Sequence, residues 1–182
     1  MTRYFAFLRA INVGGHIVKM DQLRRIFESL GFSSIETFIA SGNVIFESTS
    51  KNVKTLEKRI ENALCEALGY EVATFIRTEA ELVEIANYRP FRESDLEAVG
   101  SLNIVFLGEA LDKKSNQGLI ALRTEFDDLH GHGREIYWLC RTRQSESTIS
   151  NAVLNKTLGM PATVRGANTV KKMVVKYSGS KK

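Results

Sequence analysis

Two short turns that contain glycine are the segments of this 182-residue sequence best suited to bind an anion. Glycine lets backbone N–H groups come close to a ligand, and such turns form concave anion sites. The alternative is that the residues serve only the geometry of the turns. The candidate residues in and beside these turns are Asn12, Gly14, Gly15, Lys19, Ser41 and Asn43.

A second candidate anion site lies near the C-terminus, where a basic residue ends a strand. Arg165 closes the predicted strand 162–165, and the predicted helix 168–176 begins with Asn168 and Thr169. A guanidinium at a strand end, next to a helix N-terminus, is a favourable place for an anion.

Arg9 is a further candidate because it interrupts an apolar run. We predict that it lies inside the first strand, on the side of Phe5 and Phe7. A charge there needs a partner, so the side chain makes either a structural ion pair or a ligand contact.

The basic charge is concentrated in the C-terminal part of the chain. The formal net charge is +4, yet residues 1–100 carry 12 basic and 14 acidic residues, whereas residues 101–182 carry 13 and 7. Within residues 141–182, nine basic residues stand against Glu146 alone. This pattern indicates either a solvated helix face with a lysine tail or a patch for phosphate, carboxylate or nucleic acid.

Motifs for familiar chemistries are missing. The sequence contains no P-loop, HExxH or GxSxG motif, and the glycines around residues 131–133 do not form a dinucleotide fingerprint. His130 and His132 lie one residue apart at a predicted hairpin, and spacing marks no third ligand, so we predict an exposed pair and no metal site. No cofactor is predicted, and whether the protein is an enzyme stays open.

The elements that position these residues follow a βαββαβ order plus a helix, twice. In the first half the predicted elements are strand 4–11, helix 20–30, strands 35–40 and 43–48, helix 52–68, strand 71–77 and helix 78–87. In the second they are strand 102–107, helix 115–126, strands 127–130 and 134–141, helix 147–158, strand 162–165 and helix 168–176. The ends of the two halves also match, since Leu82 and Ile85 correspond to Val170 and Met173 at an offset of 88 residues.

This order predicts an α+β fold of two ferredoxin-like repeats packed into one compact body. The repeats are predicted at 1–88 and 102–182, with a connector at 89–101. In this topology the end of the first strand lies at the same sheet edge as the hairpin between the second and third strands. We therefore expect residues 12–15 to lie near residues 41–43.

The central strands 4–8 and 104–107 are apolar at every position, which favours burial on both faces and disfavours an open RNA-binding sheet. The N-terminus has neither a signal-peptide pattern nor a membrane-spanning run, so a cytoplasmic location and no membrane partner are expected. Cys65 and Cys140 are expected to be reduced, buried thiols. The oligomeric state is not set by the sequence.

Three segments carry a family resemblance. Residues 9–15 (Arg-Ala-Ile-Asn-Val-Gly-Gly), residues 37–46 (Thr-Phe-Ile-Ala-Ser-Gly-Asn-Val-Ile-Phe) and residues 158–170 resemble motifs of the bacterial family catalogued as domain of unknown function 1697. The resemblance implies an α+β fold with ferredoxin-like repeats and brings no established activity. Two residues depart from the family pattern, Ala10 at a usual glycine and Gly166 at a usual asparagine.

Three functions are consistent with these observations. The first is a binding module for a small anionic or nucleotide-like ligand, held by the glycine turns or by the segment after Arg165. The second is nucleic-acid binding through the basic C-terminal quarter. The third is an enzyme of unknown reaction whose site contains Asn12, Ser41, Asn43 and Arg165.

Overall fold

The computed structural model describes residues 1–97 and 100–179 and contains eight strands and seven α-helices in that part of the chain. The first elements are β1 (Thr2–Leu8), α1 (Met20–Ser29), β2 (Ser33–Thr37), β3 (Asn43–Ser48), α2 (Val53–Leu68), β4 (Thr74–Thr78) and α3 (Glu79–Asn87). The remaining elements are α4 (Glu93–Glu97), β5 (Ser101–Leu107), α5 (Lys113–Ala121), β6 (Asp127–His132), β7 (Glu135–Cys140), a short 3-10 helix (Gln144–Glu146), α6 (Asn151–Leu158), β8 (Ala162–Gly166) and α7 (Ala167–Ser178).

The strands form two four-stranded antiparallel sheets with the same internal order. The first sheet runs β2-β3-β1-β4 and the second β6-β7-β5-β8. Each is the strand order of a ferredoxin-like unit, in which the first and last strands of the half lie side by side. The predicted α+β fold with ferredoxin-like sheets is therefore confirmed. The chain divides into two compact units, Met1–Leu82 and Val83–Lys182, and the division falls within α3.

Each unit has its own apolar core between one sheet face and two helices. In the first unit, α1 and α2 bury residues such as Phe27 and Ile60 against Tyr4 and Phe46 of the sheet. In the second, Leu119 of α5 and Leu154 of α6 pack into a cluster with Trp138. Residues 4–8 of β1 and 104–107 of β5 are buried at every position, as predicted from their apolar runs, and the preceding Asn103 is buried as well.

Strand β4 is an edge strand of the first sheet, and two carboxylates of α2 accept hydrogen bonds from its outward-facing amides. Glu57 Oε1 accepts a hydrogen bond from the Ile76 amide at 2.9 Å, and Glu61 Oε1 accepts one from the Thr74 amide at 2.9 Å. Thr74 and Ile76 are two residues apart on an edge strand, so both amides point away from the sheet. Glu57 and Glu61 are four residues apart on α2, so both carboxylates lie on one face of the helix and can reach these amides. The second unit has a related contact, since Asn155 Oδ1 of α6 accepts from the Ala162 amide at 3.0 Å.

Several predicted boundaries were wrong by several residues. The predicted helix 147–158 begins only at Asn151, because Ser150 accepts a hydrogen bond from the Val153 amide and caps it. The predicted helix 115–126 runs from Lys113 to Ala121 instead, with Asp112 as its N-cap. Helix α4 was not predicted. Among the described residues, every helix is too short or too polar to cross a bilayer.

Candidate functional site

The two glycine turns meet at one end of the first sheet. We call residues 9–19, between β1 and α1, the first loop, and residues 38–42, between β2 and β3, the hairpin loop. The Leu8 amide donates to the Gly42 carbonyl at 2.8 Å, and Asn12 Nδ2 donates to the Ala40 carbonyl at 3.0 Å. The predicted convergence of the two turns is therefore confirmed.

Asn12 holds both loops with one side chain. While its Nδ2 reaches Ala40, its Oδ1 accepts a hydrogen bond from the Val18 amide at 2.7 Å and so closes the first loop on itself. Its backbone lies in the left-handed region at φ 56°, a conformation that asparagine adopts more readily than most residues. Asn12 is therefore a structural clamp, and both ends of its amide are engaged.

Gly42 is required by a close approach. Its φ is 73°, and a Cβ added there would lie 2.9 Å from Ile11 Cβ and 3.0 Å from the Leu8 carbonyl oxygen. Any side chain would push the hairpin loop away from the end of β1 and open the junction.

Asn43 and Ser41 stabilise the hairpin loop internally. Asn43 is buried, and its Nδ2 donates to the Phe38 carbonyl at 3.0 Å and to Ser41 Oγ at 2.9 Å. The tight turn predicted at residues 41–43 is thus a five-residue loop, and Asn43, the first residue of β3, bonds both Phe38 at its start and Ser41 near its end. These contacts indicate a structural role for both residues.

Groups without an internal partner lie in the first loop. Gly14 and Gly15 have φ of 61° and 87° and no atom within 4 Å of the position of an added Cβ. Among the described residues, nothing accepts a hydrogen bond from their amides, and the exposed Lys19 ammonium has no ion-pair partner. These backbone N–H groups and this charge are open to solvent and to a ligand.

Arg9 lies outside β1, so its predicted place inside the strand was wrong. The strand ends at Leu8, because the chain turns there towards the hairpin loop and Ala10 takes a left-handed φ of 60°. The Arg9 amide donates to the Ala73 carbonyl at 2.9 Å. Within the described part of the chain its half-buried guanidinium has no ion-pair or hydrogen-bond partner, so of the two alternatives, a structural ion pair or a ligand contact, the ion pair is not formed there.

A ring contact that the sequence did not suggest anchors the first loop. His16 stacks on Tyr70, with ring centroids 4.0 Å apart, and Tyr70 Oη donates to the Ala10 carbonyl at 3.4 Å. Burial raises the pKa of the Tyr70 hydroxyl, which favours this neutral donor. No spacing in the sequence connects residues this far apart, so only the fold shows the contact.

The C-terminal candidates are arranged differently from the prediction. Arg165 is 8% exposed, and its Nη1 donates to Thr163 Oγ1 at 2.8 Å and to the Val164 carbonyl at 2.9 Å. Burial lowers the pKa of Arg165 to about 10. Asn168 is exposed and Thr169 half-buried in the first turn of α7. The Arg165 guanidinium is therefore largely withdrawn from solvent, while the helix after it is accessible.

The outer face of α7 is basic. An open concavity of about 360 Å³ lies on it and is lined by Asn168, Lys171, Lys172, Val175 and Lys176. Helix α7 contains no acidic residue, and Lys171 and Lys172 have no ion-pair partner among the described residues. Lys181 and Lys182, counted in the basic patch, lie outside the described residues.

The two histidines of the β6–β7 hairpin pack on the chain that follows α3. Tyr88 stacks on His132 with ring centroids 4.1 Å apart, and its hydroxyl lies 3.0 Å from His130 Nε2. His130 is half-buried, so the expectation of an exposed pair was wrong for this residue. Among the described residues, no group of three or more His, Cys, Asp or Glu side chains is arranged to hold a metal ion.

The two cysteines differ in accessibility. Cys140 is buried on β7, as predicted, whereas Cys65 is exposed on α2. The expectation of a buried Cys65 was wrong. The buried face of α2 is formed by Leu56, Ile60 and Leu64, and Cys65 lies outside that face although it follows Leu64 in sequence. Both thiols are free.

These features define an α+β protein with two ferredoxin-like sheets and a loop junction at the end of the first. The sequence profile of the family described as "Protein of unknown function (DUF1697)" matches residues 1–137, and the chain belongs to this family. The third resembling segment, residues 158–170, lies beyond the matched residues.

A solved structure has the same fold along nearly the whole chain. The conserved bacterial protein SP0830 from Streptococcus pneumoniae is 24% identical, with a TM-score of 0.73 over 96% of this chain and 97% of that chain. At this identity the similarity shows the fold alone. No curated protein matches the sequence.

Proposed function

We propose that this protein binds a small anionic ligand at the junction of the first loop and the hairpin loop. The observation that carries the proposal is that, within the part of the chain that the structure describes, the amides of Gly14 and Gly15 are unbonded and the cations of Arg9 and Lys19 in the same loop are unpaired. Free N–H groups and positive charge together are the donor set that phosphate and carboxylate require.

The backbone of the junction supports this location. Left-handed backbone angles occur in the two loops at Ala10, Asn12, Gly14, Gly15, Ile39 and Gly42. A residue other than glycine held in this region costs about 1–3 kcal/mol, and such strain concentrates at ligand sites. The fold maintains the strain through Asn12 and the buried Asn43.

The second half of the chain lacks these loops. We infer that the two halves arose by duplication, since the sheets share one strand order and Arg77 and Arg165 each donate to the carbonyl of the preceding residue at 2.9 Å. The connection between β5 and α5 is residues 108–112, and that between β6 and β7 is residues 133–134, both shorter than the loops of the first half. The enlarged loops are therefore a feature of the first half beyond the common scaffold, as expected of a functional site.

The proposal divides the candidate residues into two groups. Gly14, Gly15, Arg9 and Lys19 contact the ligand, whereas Asn12, Ser41 and Asn43 hold the loops in place. No reaction is proposed, because no imidazole in the described residues hydrogen-bonds Ser41 to activate it.

The direct test is NMR titration of the full chain with inorganic phosphate and with adenosine monophosphate. We expect the largest amide shifts at Gly14 and Gly15, and a rise in melting temperature as the ligand approaches saturation. Gly15→Ala should weaken binding, because an added methyl at a φ of 87° disturbs the free amides. Gly69→Ala is the matched control, since Gly69 also has a positive φ of 79° and open surroundings but caps α2.

A charge-neutralising variant completes the test. Arg9→Gln should weaken phosphate binding, whereas Arg25→Gln should not; it removes an exposed arginine of α1 that has no ion-pair partner in the described part of the chain. Shifts that appear elsewhere in the chain, or equal losses in both variants, would contradict the proposed site.

The basic face of α7 supports nucleic-acid binding as a second candidate. Two observations favour it: Lys171 and Lys172 have no ion-pair partner among residues 1–97 and 100–179, and the helix contains no acidic residue. Affinity for mixed-sequence oligonucleotides should then fall steeply with salt. Lys171→Gln with Lys172→Gln should reduce the slope of log affinity against log salt by about 1.4–1.8. An absence of binding at low salt would remove this candidate.

A further inference from the structure

Three exposed aliphatic side chains lie in the two loops that form the junction. The exposed fractions are 57% for Val13, 88% for Ile17 and 56% for Ile39. Outside these loops, the large apolar side chains that are exposed in the described chain are Met1, Ile120, Phe126 and Val175. Single exposed apolar residues need no explanation, but a group of them at one place indicates a binding surface.

The three residues are brought together by the Asn12 clamp. Val13 follows Asn12 directly, Ile17 precedes Val18, whose amide donates to Asn12, and Ile39 precedes Ala40, whose carbonyl accepts from Asn12. Each is therefore one residue away from a group that this amide holds. The free amides of Gly14 and Gly15 lie in the chain between Val13 and Ile17.

Ile39 is the most informative of the three. Its φ is 51°, in the left-handed region, which a β-branched residue occupies only under strain. Glycine or asparagine would form the same turn without that cost. An isoleucine that is both strained and exposed to water is costly in two ways, unless its side chain contacts an apolar group outside the protein.

We infer that the ligand of this junction is an amphipathic anion, with an acidic head group bound at Gly14, Gly15 and Arg9 and an aliphatic part packed on Val13, Ile17 and Ile39. The inference rests on the proposed function and specifies its ligand class. Head group and aliphatic part are both needed, because charge complements Arg9 and Lys19, whereas only apolar contact removes the aliphatic side chains from water.

Paired probes separate the two parts of the ligand. The full chain is titrated by NMR with acetate and hexanoate, and with inorganic phosphate and hexyl phosphate. Each hexyl-chain probe should bind at least tenfold more tightly than its parent anion, because each buried methylene adds to affinity. If the longer anion binds more tightly than its parent in both pairs, the additional affinity comes from the aliphatic part. The difference in affinity between the carboxylates and the phosphates then identifies the preferred head group.

Two variants locate the aliphatic contact. Ile39→Asn relieves the backbone strain, so it should keep or raise the melting temperature while it reduces the preference for the hexyl-chain probe. Ile17→Ser should reduce the same preference, and Ile120→Ser is the control, since Ile120 is 57% exposed on α5. A loss of preference without a loss of stability cannot come from unfolding.

The outcomes distinguish the inference from the proposed function. If parent and hexyl-chain probes bind equally at Gly14 and Gly15, the inference is overturned and the anion site stands. If no probe shifts these amides, both are overturned. If Ile120→Ser reduces the preference as much as Ile39→Asn does, the aliphatic contact does not lie at this junction and the inference is again overturned.

Discussion

Asn12 and Ala40 join the two loops of the first unit through a hydrogen bond of 3.0 Å, although 28 residues separate them. The same asparagine accepts from the Val18 amide at 2.7 Å. One side chain therefore sets the distance between the hairpin loop and the first loop.

We predict that Asn12→Gly lowers the free energy of unfolding by about 1–3 kcal/mol, the net value of two hydrogen bonds. Glycine accommodates the φ of 56°, so the change removes the side chain without adding backbone strain. Urea denaturation measures the loss, and amide exchange at Val18 should accelerate. A variant as stable as the wild type, with Val18 still protected, would show that Asn12 is not the clamp.

Ala10 occupies a position that favours glycine. Its φ is 60°, and the left-handed region costs an alanine about 1–2 kcal/mol. This agrees with the glycine that the family resemblance implies at this position. We predict that Ala10→Gly raises the free energy of unfolding by about 1 kcal/mol. The control is Ala63→Gly in the middle of α2, which should lower it by about 1 kcal/mol. Losses of equal size in both variants would contradict the strain at Ala10.

Glu61 should contribute less at neutral pH than its hydrogen bond suggests. Burial first, with the nearby Glu57 carboxylate, raises its pKa, although the bond from the Thr74 amide opposes the shift. A raised carboxyl pKa means that the unfolded chain holds the charge more easily, so the folded state loses stability as pH rises through that pKa. We predict that Glu61→Gln, which keeps an acceptor oxygen, is more stable than the wild type at pH 7, with an advantage that shrinks towards pH 4.

Comparison with other variants checks this prediction. Glu61→Ala should cost about 1–3 kcal/mol at pH 7, because the Thr74 amide then lacks its acceptor. Glu66→Gln, on the exposed side of the same helix, should change stability by less than about 0.5 kcal/mol. The prediction fails if Glu61→Gln is less stable than the wild type at pH 7 in chemical denaturation.

The contact between Tyr88 and His130 should make the second unit sensitive to acid. Burial, together with the charges of His132 and Arg123, lowers the pKa of His130, and Asp128 opposes the shift. Since the folded state favours the neutral imidazole, the corresponding stability is complete above the usual histidine pKa of about 6.5 and is lost as pH falls through the lowered value.

NMR titration of the His130 ring measures that pKa directly. We expect a value below about 6.5 in the wild type. Tyr88→Ala should raise it, because the imidazole then loses the ring that helps to bury it, whereas Tyr88→Phe, which keeps that ring, should raise it less. A wild-type value at or above about 6.5 would refute the proposed acid sensitivity.

Much of the fold was predictable because it depends on local patterns. The apolar runs of β1 and β5 and the periodicity of α2 indicated the element order, and β3 was predicted with its observed bounds. The antiparallel topology then required the end of β1 to lie beside the hairpin loop, so the place of the candidate site followed from the order of elements.

Burial of individual polar side chains was not predictable in this way. Arg165 ends a strand in the sequence, as an exposed anion contact would, but the folded chain withdraws its guanidinium onto Thr163 and Val164. Arg9 follows an apolar run yet lies past the strand end. Such outcomes depend on which groups surround a side chain, and those neighbours come from distant parts of the sequence.

The amino-acid sequence by itself therefore determined the two ferredoxin-like sheets and the meeting of the glycine turns, because hydrophobic periodicity and strand order act through neighbouring elements. Only the tertiary structure decided which residues of the junction are held and which are open. The Asn12 side chain bonds Ala40, 28 residues away, and the Asn43 side chain bonds Phe38 and Ser41 within its own loop region, whereas the amides of Gly14 and Gly15 have no partner among the described residues. The physical reason is that a polar group finds its hydrogen-bond partner among the residues that folding places around it.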